Sequence, residues 1–358
     1  MKRILYLTNI EVPYRVRFLN ELAEHCQLTV LYEREKSGNR DEKWAGCEKR
    51  KYRTEYLNGL KIGVENTFSF SILKVLFSSY DGIIVGCCNS PVQLFAVLVM
   101  RMFHIPFLLS TDGELFLDRP GLKNAAKRFF LSGATGYLAA GEQAAKSLKK
   151  TAGPSKITVY GFSSLYEREL SAHAKAGLHA RRNGRVLVVG QYFPYKGMDV
   201  ALQAAAKNPA IRYQFVGMGS RTARFIREQK AAALKNVEIV PFLTKEALEK
   251  EYAACAMLLL PSRQECWGLV VNEAASFGMP IVSTWGSGAA VEFLGDKYAR
   301  YLAKPGDAED LYQKVLLLLH DQNKEQYTKD LILKSQHYSL EHMVKAHCCA
   351  LHLDEKGI

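Results

Sequence analysis

Short apolar runs alternate with helical patterns along nearly all of this 358-residue chain. That alternation restricts it to parallel sheets built from βαβ units. In the first half the strand candidates are Ile4–Thr8, Leu28–Tyr32, Tyr52–Tyr56, Ile83–Gly86, Phe107–Ser110, Gly136–Ala139 and Ile157–Tyr160. Residues 161–184 then lose periodicity and turn polar, with His173, Lys175, His179, Arg181 and Arg182, as expected of an interdomain linker. The pattern restarts with Val186–Gly190, Tyr213–Val216, Val237–Val240, Met257–Leu260 and Ile281–Ser283. The length accommodates two domains, each with its own core. The sequence thus predicts an α/β protein with a first doubly wound domain at 1–163, a linker at 164–184, a second at 185–336 and a helical segment at 337–358.

Residues 256–285, AMLLLPSRQECWGLVVNEAASFGMPIVSTW, carry the densest chemical signal. An apolar strand runs into the turn Pro261–Ser262, and two glutamates follow, Glu265 and Glu273, with seven residues between them. Gly268 opens a helix that closes at Gly278, and Pro280 stands just beyond as a stop. The free N–H groups of residues 268–270 then point at the carboxyl edge of a parallel sheet, an anion site suited to a diphosphate. Glu265 falls in the loop before this helix and Glu273 about two turns inside it. The two carboxylates are thus expected to meet opposite ends of an elongated ligand.

This arrangement, Glu-x7-Glu between a strand ending in Pro-Ser and a Gly-Met-Pro-Ile-Val strand start, resembles the retaining glycosyltransferases of family 4. The resemblance is close over the second half of the chain and holds in outline over the first. It implies a GT-B fold, two Rossmann-like domains facing a central cleft, with the last helix crossing back to the first domain. It implies transfer of a sugar from a nucleotide-diphosphate sugar, a UDP- or GDP-sugar, to a hydroxyl acceptor with retention of configuration. In such enzymes the first glutamate contacts the donor sugar and the second holds the ribose, which here are Glu265 and Glu273. The family stretch Gly-Arg-x4-Lys-Gly reads Gly190-Gln191-x4-Lys196-Gly197 here, so Lys196 is kept and Gln191 stands at the arginine position. The fixed positive charge at that position is absent. By the same resemblance Gly268 and Leu269 supply N–H groups to the diphosphate. Gly217 forms a turn beneath the nucleotide, and Phe242 lies where backbone atoms meet the base.

The first domain is expected to hold the acceptor. Many family members have a histidine near the donor sugar six residues beyond a proline equivalent to Pro106, and this chain has Asp112 there. Its carboxylate accepts hydrogen bonds from sugar hydroxyls, and Thr111-Asp112-Gly113 equally fits a strand-end turn. Tyr14 and Arg15, with Arg17, either meet a phosphate-bearing acceptor or line the first helix. Gly217-Met218-Gly219-Ser220 lacks the third glycine of a dinucleotide fingerprint, which argues against a nicotinamide or flavin enzyme. The residues point to no cofactor.

The net charge of +12 admits nucleic acid, an anionic membrane surface or small anionic ligands as partners. No nucleic-acid module is present. Arg119–Phe130 is a basic helix candidate whose Leu122, Ala126, Phe129 and Phe130 either rest on lipid headgroups or face the core. With a lipid-linked or glycan acceptor, this sets the expectation of a cytoplasmic protein peripheral to the inner face of the membrane. The cysteines show no metal-ligand spacing, and His337, His342, His347 and His352 recur every five residues, not a helical face repeat. No metal is expected. The alternatives left by the residues are a sugar-nucleotide epimerase or phosphorylase of the same fold, and a basic binding protein without chemistry.

Overall fold

A computed structural model of the chain describes residues 1–35, 49–62, 66–86, 90–112, 129–152, 156–180, 182–217 and 234–353. It divides into two compact units, Met1–Ser164 with Leu340–Ile358, and Leu165–Ser339. The first unit contains β1 (Arg3–Ile10), α1 (Pro13–Ala23), β2 (Gln27–Arg34), β3 (Arg53–Tyr56), β4 (Leu60–Ile62), β5 (Asn66–Phe68), α2 (Ile72–Leu76) and β6 (Gly82–Val85). Then come α3 (Pro91–Met102), β7 (Leu108–Thr111), β8 (Gly136–Ala140), α4 (Gly141–Ala152) and β9 (Ile157–Tyr160). Seven of these strands form a parallel sheet in the order β3-β2-β1-β6-β7-β8-β9. Strands β4 and β5 make a separate antiparallel pair, which the polar sequence around Asn66-Thr67 did not announce.

The second unit runs through α5 (Glu167–Leu178), β10 (Val186–Val189), α6 (Met198–Ala206), β11 (Tyr213–Val216), β12 (Val237–Val240), α7 (Lys245–Ala254) and β13 (Met257–Leu259). It continues with α8 (Leu269–Ser276), β14 (Ile281–Thr284), α9 (Gly288–Leu294), β15 (Leu302–Ala303), α10 (Ala308–Leu319) and α11 (Lys324–Ser335). Its parallel sheet has the order β12-β11-β10-β13-β14-β15. Both sheets therefore reverse direction once, between β1 and β6 and between β10 and β13. In doubly wound sheets such a reversal opens a crevice at the carboxyl ends of the two strands, where ligands bind. The central strand β10, Val-Leu-Val-Val, is buried throughout, as a strand covered on both faces by helices must be.

Helix α12 (Leu340–Ala350) belongs to the first unit and packs against α1 and β9. Its His347 is fully buried, with ring centroids 4.6 Å from Phe18 and 4.8 Å from Tyr160. Burial lowers its pKa to about 4, so this ring is a neutral core group.

The segment 161–184, expected to be a linker, instead contains α5. This helix buries only Leu170, His173 and Gly177, and packs on α8 and α11. A histidine and a glycine occupy two of the three inward positions, so the apolar stripe does not show in the sequence. Nearby, the partly buried guanidinium of Arg182 donates to the carbonyls of Tyr252, Cys255 and Phe277, each at 3.0 Å. It thereby satisfies groups left open where α7 and α8 end. Gly177 is required by close approach: a Cβ there would lie 1.9 Å from the Phe277 carbonyl oxygen. Gly177→Ala is therefore expected to destabilise the protein by about 1–3 kcal/mol, the usual range for forced overpacking. A urea midpoint equal to that of the parent would show that α5 yields without strain.

Candidate active site

In the second unit, the loops after β10 and β13 are stitched together at the reversal of the sheet. Gly197 has φ of +68°, and a Cβ on it would lie 2.1 Å from the Pro261 carbonyl oxygen, so only glycine lets the two loops meet. The Tyr195 carbonyl accepts from the backbone N–H of Arg263 at 2.8 Å and of Gln264 at 3.2 Å. The Arg263 guanidinium binds both oxygens of Asp199, at 2.7 and 2.6 Å, and the Pro194 carbonyl at 2.7 Å. Burial pushes the Asp199 carboxyl up, but hydrogen bonds and charge from Arg263 outweigh it and hold the group below its usual range.

These contacts bring Lys196 onto Glu265: the ammonium donates to Oε1 of the carboxylate. Ser262, fully buried, donates from its hydroxyl to Oε2 at 2.6 Å. The Glu265 backbone donates to the Gly286 carbonyl at 2.8 Å and accepts from Gly288 at 3.1 Å, anchoring the loop beyond β14. Both carboxylate oxygens and both backbone groups of Glu265 are thus engaged.

From there the chain passes through Trp267, whose indole N–H donates to Asn272 Oδ1 at 2.8 Å, and enters α8 at Gly268. Gly268 and Leu269 form the start of this helix, as the punctuation by Gly268, Gly278 and Pro280 predicted. Glu273 is the fifth helical residue, one turn inside and not two. Its Oε2 accepts from the Tyr252 hydroxyl at 2.7 Å. Burial raises the Glu273 pKa, and the Tyr252 hydrogen bond partly offsets it. Behind it His173 stacks on Phe277 at 4.1 Å, with Nδ1 2.9 Å from Ser276 Oγ, which in turn donates to the Glu273 carbonyl at 2.7 Å. Burial lowers the His173 pKa to about 4.

The remaining expected residues fall around this frame. Gln191 follows β10 and is partly exposed, with its carbonyl accepting from Phe193 at 2.9 Å. Gly217 directly follows β11 with φ of +88°, while Met218, Gly219 and Ser220 lie outside the described residues. Phe242 is half-buried beyond β12. Among the described residues, no group of three or more His, Cys, Asp or Glu is placed to hold a metal ion.

In the first unit, Asp112 sits at the end of β7 and Arg15 on α1, and the two form an ion pair. Arg15 is buried and also donates to Thr8 Oγ1 at 3.0 Å. Its guanidinium is thus committed to Asp112 and Thr8 and does not extend into solvent. Tyr14 packs edge-on against Phe162 at 5.8 Å. Both residues, with Asp112, Ser163 and Met343, line a small cavity. Arg17 donates to the Ser164 carbonyl at 2.9 Å.

Several functional candidates escaped sequence reasoning: Ser262, Tyr252 and the Arg263–Asp199 pair. Ser262 lay in the Pro-Ser turn already noted. The others become partners only through folding.

The architecture defined here, two Rossmann-like parallel-sheet units, is the GT-B fold. Solved structures similar over almost the whole chain share it. The Anabaena protein HepE in complex with UDP matches with a TM-score of 0.74 at 14% identity, covering 98% of this chain and 100% of that one. Sucrose-phosphate synthase from Thermosynechococcus elongatus matches with a TM-score of 0.72 at 16% identity, covering 98% of both. Residues 171–332 match the family model described as glycosyl transferases group 1. The D-inositol 3-phosphate glycosyltransferase of Mycolicibacterium smegmatis is 34% identical over 104 residues, 27% of this chain and 24% of that protein. The sulfoquinovosyl transferase of Arabidopsis thaliana is 29% identical over 152 residues, 42% of this chain and 28% of that protein. The chain thus spans well under half the length of these curated relatives.

The geometry makes Ser262 a measurable support of Glu265. Ser262→Ala is expected to lower unfolding free energy by about 1–3 kcal/mol, the range for losing a buried hydrogen bond to a charged group. An unchanged thermal midpoint would mean that Lys196 alone holds the carboxylate.

Proposed function

We propose that this chain is a retaining, metal-independent glycosyltransferase of family 4 type, moving a sugar from a UDP- or GDP-sugar to a hydroxyl acceptor. One observation carries the reading: Lys196 and Glu265 meet at the reversal of the second sheet, beside the start of α8, with Glu273 one turn further along. A cation and a row of helix N–H groups suit a diphosphate, and carboxylates suit sugar and ribose hydroxyls. The ammonium of Lys196 has three protons, so it can keep Glu265 while donating to phosphate oxygens. As the glycosidic bond breaks, negative charge grows on the departing nucleoside diphosphate. Lys196 and the N–H groups around Gly268 and Leu269 stabilise that charge electrostatically. Glu265 orients the sugar, Glu273 holds the ribose, Gln191 contributes amide donors, and Gly217 and Phe242 border the nucleotide. The departing phosphate takes the acceptor's proton. In the first unit Asp112, fixed by Arg15, accepts from a sugar hydroxyl, and Tyr14 lines the acceptor side.

A lipid-linked or growing glycan acceptor at the inner face of a membrane fits the charge of +12. No helix among the described residues is long and apolar enough to cross a membrane. Most of Arg119–Phe130, including Lys123, Lys127 and Arg128, lies outside the described residues. Exposed Phe70, Phe77, Met102 and Phe103 along α2 and α3 offer the apolar component that a headgroup layer accepts.

Two measurements test these proposals. With a panel of nucleotide sugars, Lys196→Ala should lower turnover by about 100-fold or more, as loss of a transition-state donor does, while Gln191→Ala costs much less. Equal losses, or a silent lysine variant, would remove the assignment. In vesicle sedimentation, the protein should bind anionic but not neutral vesicles, less so at 1 M salt, where the Debye length is about 3 Å. Replacing Lys123, Lys127 and Arg128 by Gln should weaken binding, at about 1 kcal/mol per charge. Equal binding to neutral vesicles would refute attachment through charge.

A further inference from the structure

We propose that Tyr252 is a positioning residue of the nucleotide site, its hydroxyl holding one oxygen of Glu273 so that the other is presented to the ribose of a bound nucleoside diphosphate. The inference rests on the reading of Glu273 given above and extends it to a residue on a different helix.

Three observations support it. The first is geometric. Tyr252 is 1% exposed, and its hydroxyl lies 2.7 Å from Glu273 Oε2. Burial keeps the phenol protonated well into the alkaline range, so it is the donor and the carboxylate the acceptor. The second is that Tyr252 cannot drift. Its carbonyl is taken by Arg182 at 3.0 Å, the same guanidinium that holds the Phe277 carbonyl at the end of α8, and its ring stacks on Phe277 at 6.1 Å. Helices α7 and α8 are thereby locked in register at the level of Glu273. The third is the asymmetry between the two glutamates. Ser262 and Lys196 engage both oxygens of Glu265. Among the described residues, Glu273 Oε1 has no hydrogen-bond partner, and only Oε2 is engaged.

A glutamate on a helix has three rotatable bonds, and an unrestrained one would be ordered only on binding. Holding one oxygen in advance removes that cost, which is the general route by which preorganisation raises affinity. The position is also right. Glu273 lies four residues past Leu269, about 6 Å along the axis at 1.5 Å per residue, the direction in which a nucleotide extends from a diphosphate at the helix start.

The hydrogen bond has an electrostatic consequence that a purely structural tyrosine would lack. It stabilises the ionised carboxylate and so opposes the rise caused by burial. Removing it should raise the Glu273 pKa further, and the loss of nucleotide affinity on acidification should begin at higher pH.

The experiment is calorimetric titration with UDP and GDP, from pH 5 to 8, of the full chain and of Tyr252→Phe, Glu273→Ala and the double variant. We expect Tyr252→Phe to weaken the preferred nucleotide about three- to tenfold, the range of one hydrogen bond. The double variant should bind no more weakly than Glu273→Ala, since the tyrosine acts through the carboxylate. The acid limb of affinity should move to higher pH in Tyr252→Phe, a comparison in which the titration of the ligand's own phosphate cancels. Wild-type affinity in Tyr252→Phe, with Glu273→Ala still impaired, would overturn this inference and leave the nucleotide site standing. Additive losses in the double variant, with no movement of the acid limb, would show that Tyr252 only stabilises the fold and would likewise overturn it. Failure of the parent protein to bind either nucleotide would remove both readings together.

Discussion

The contact between Gly197 and the Pro261 carbonyl sets the geometry on which the candidate site depends. Strands β10 and β13 are neighbours in the sheet, and their following loops carry complementary charges, but bulky side chains stand between them. Only the absence of a Cβ at 197, in a left-handed backbone, lets those loops close to van der Waals distance. Once closed, the Arg263–Asp199 pair and the backbone bonds to Tyr195 fix them. Lys196 and Glu265 then have little choice but to meet. A bulkier residue at 197 would separate them without touching either.

Much of this architecture was legible in the sequence because its strands are dense in Val, Ile, Leu and Tyr. Residues such as Val186–Val189 and Ile281–Thr284 leave no polar alternation to confuse the reading. Helix α8 was legible from Gly268, Gly278 and Pro280. Helix α5 was not, since its inward stripe contains His173 and Gly177, and Arg182 satisfies carbonyls where a sequence shows only a positive charge. The pair β4 and β5 is three residues long on each side, too short for alternation to register.

The site was legible in part, for a physical reason. Lys196, Glu265 and Glu273 stand in local patterns tied to strand ends and a helix start, and their positions follow from short-range geometry. Their partners do not. Arg263 and Asp199 are 64 residues apart, and Arg15 and Asp112 are 97 apart. Such pairs exist only after the sheet order brings different loops to one edge. The chain shows this most clearly at Asp112, which follows β7 and in the fold gains a buried arginine from α1.

The two glutamates differ in a way that bears on their division of labour. An ionised carboxylate offers about four lone-pair sites on two oxygens. Among the described residues, Lys196 and Ser262 each take one site and leave Glu265 one further site on each oxygen. Glu265 is therefore suited to adding single hydrogen bonds to a ligand whose position is set elsewhere. Among the described residues Glu273 has one oxygen engaged and one open, an arrangement able to receive two donors at once, as a vicinal diol supplies them. Ribose presents such a diol, and so do most hexoses. The proposed assignment of Glu273 to the ribose thus depends on its distance from the helix start, the proposed diphosphate position, and not on the chemistry of the carboxylate itself. On that proposal, anchoring a ligand at Gly268 and Leu269 would fix which diol reaches Glu273, and with it the direction of the donor sugar.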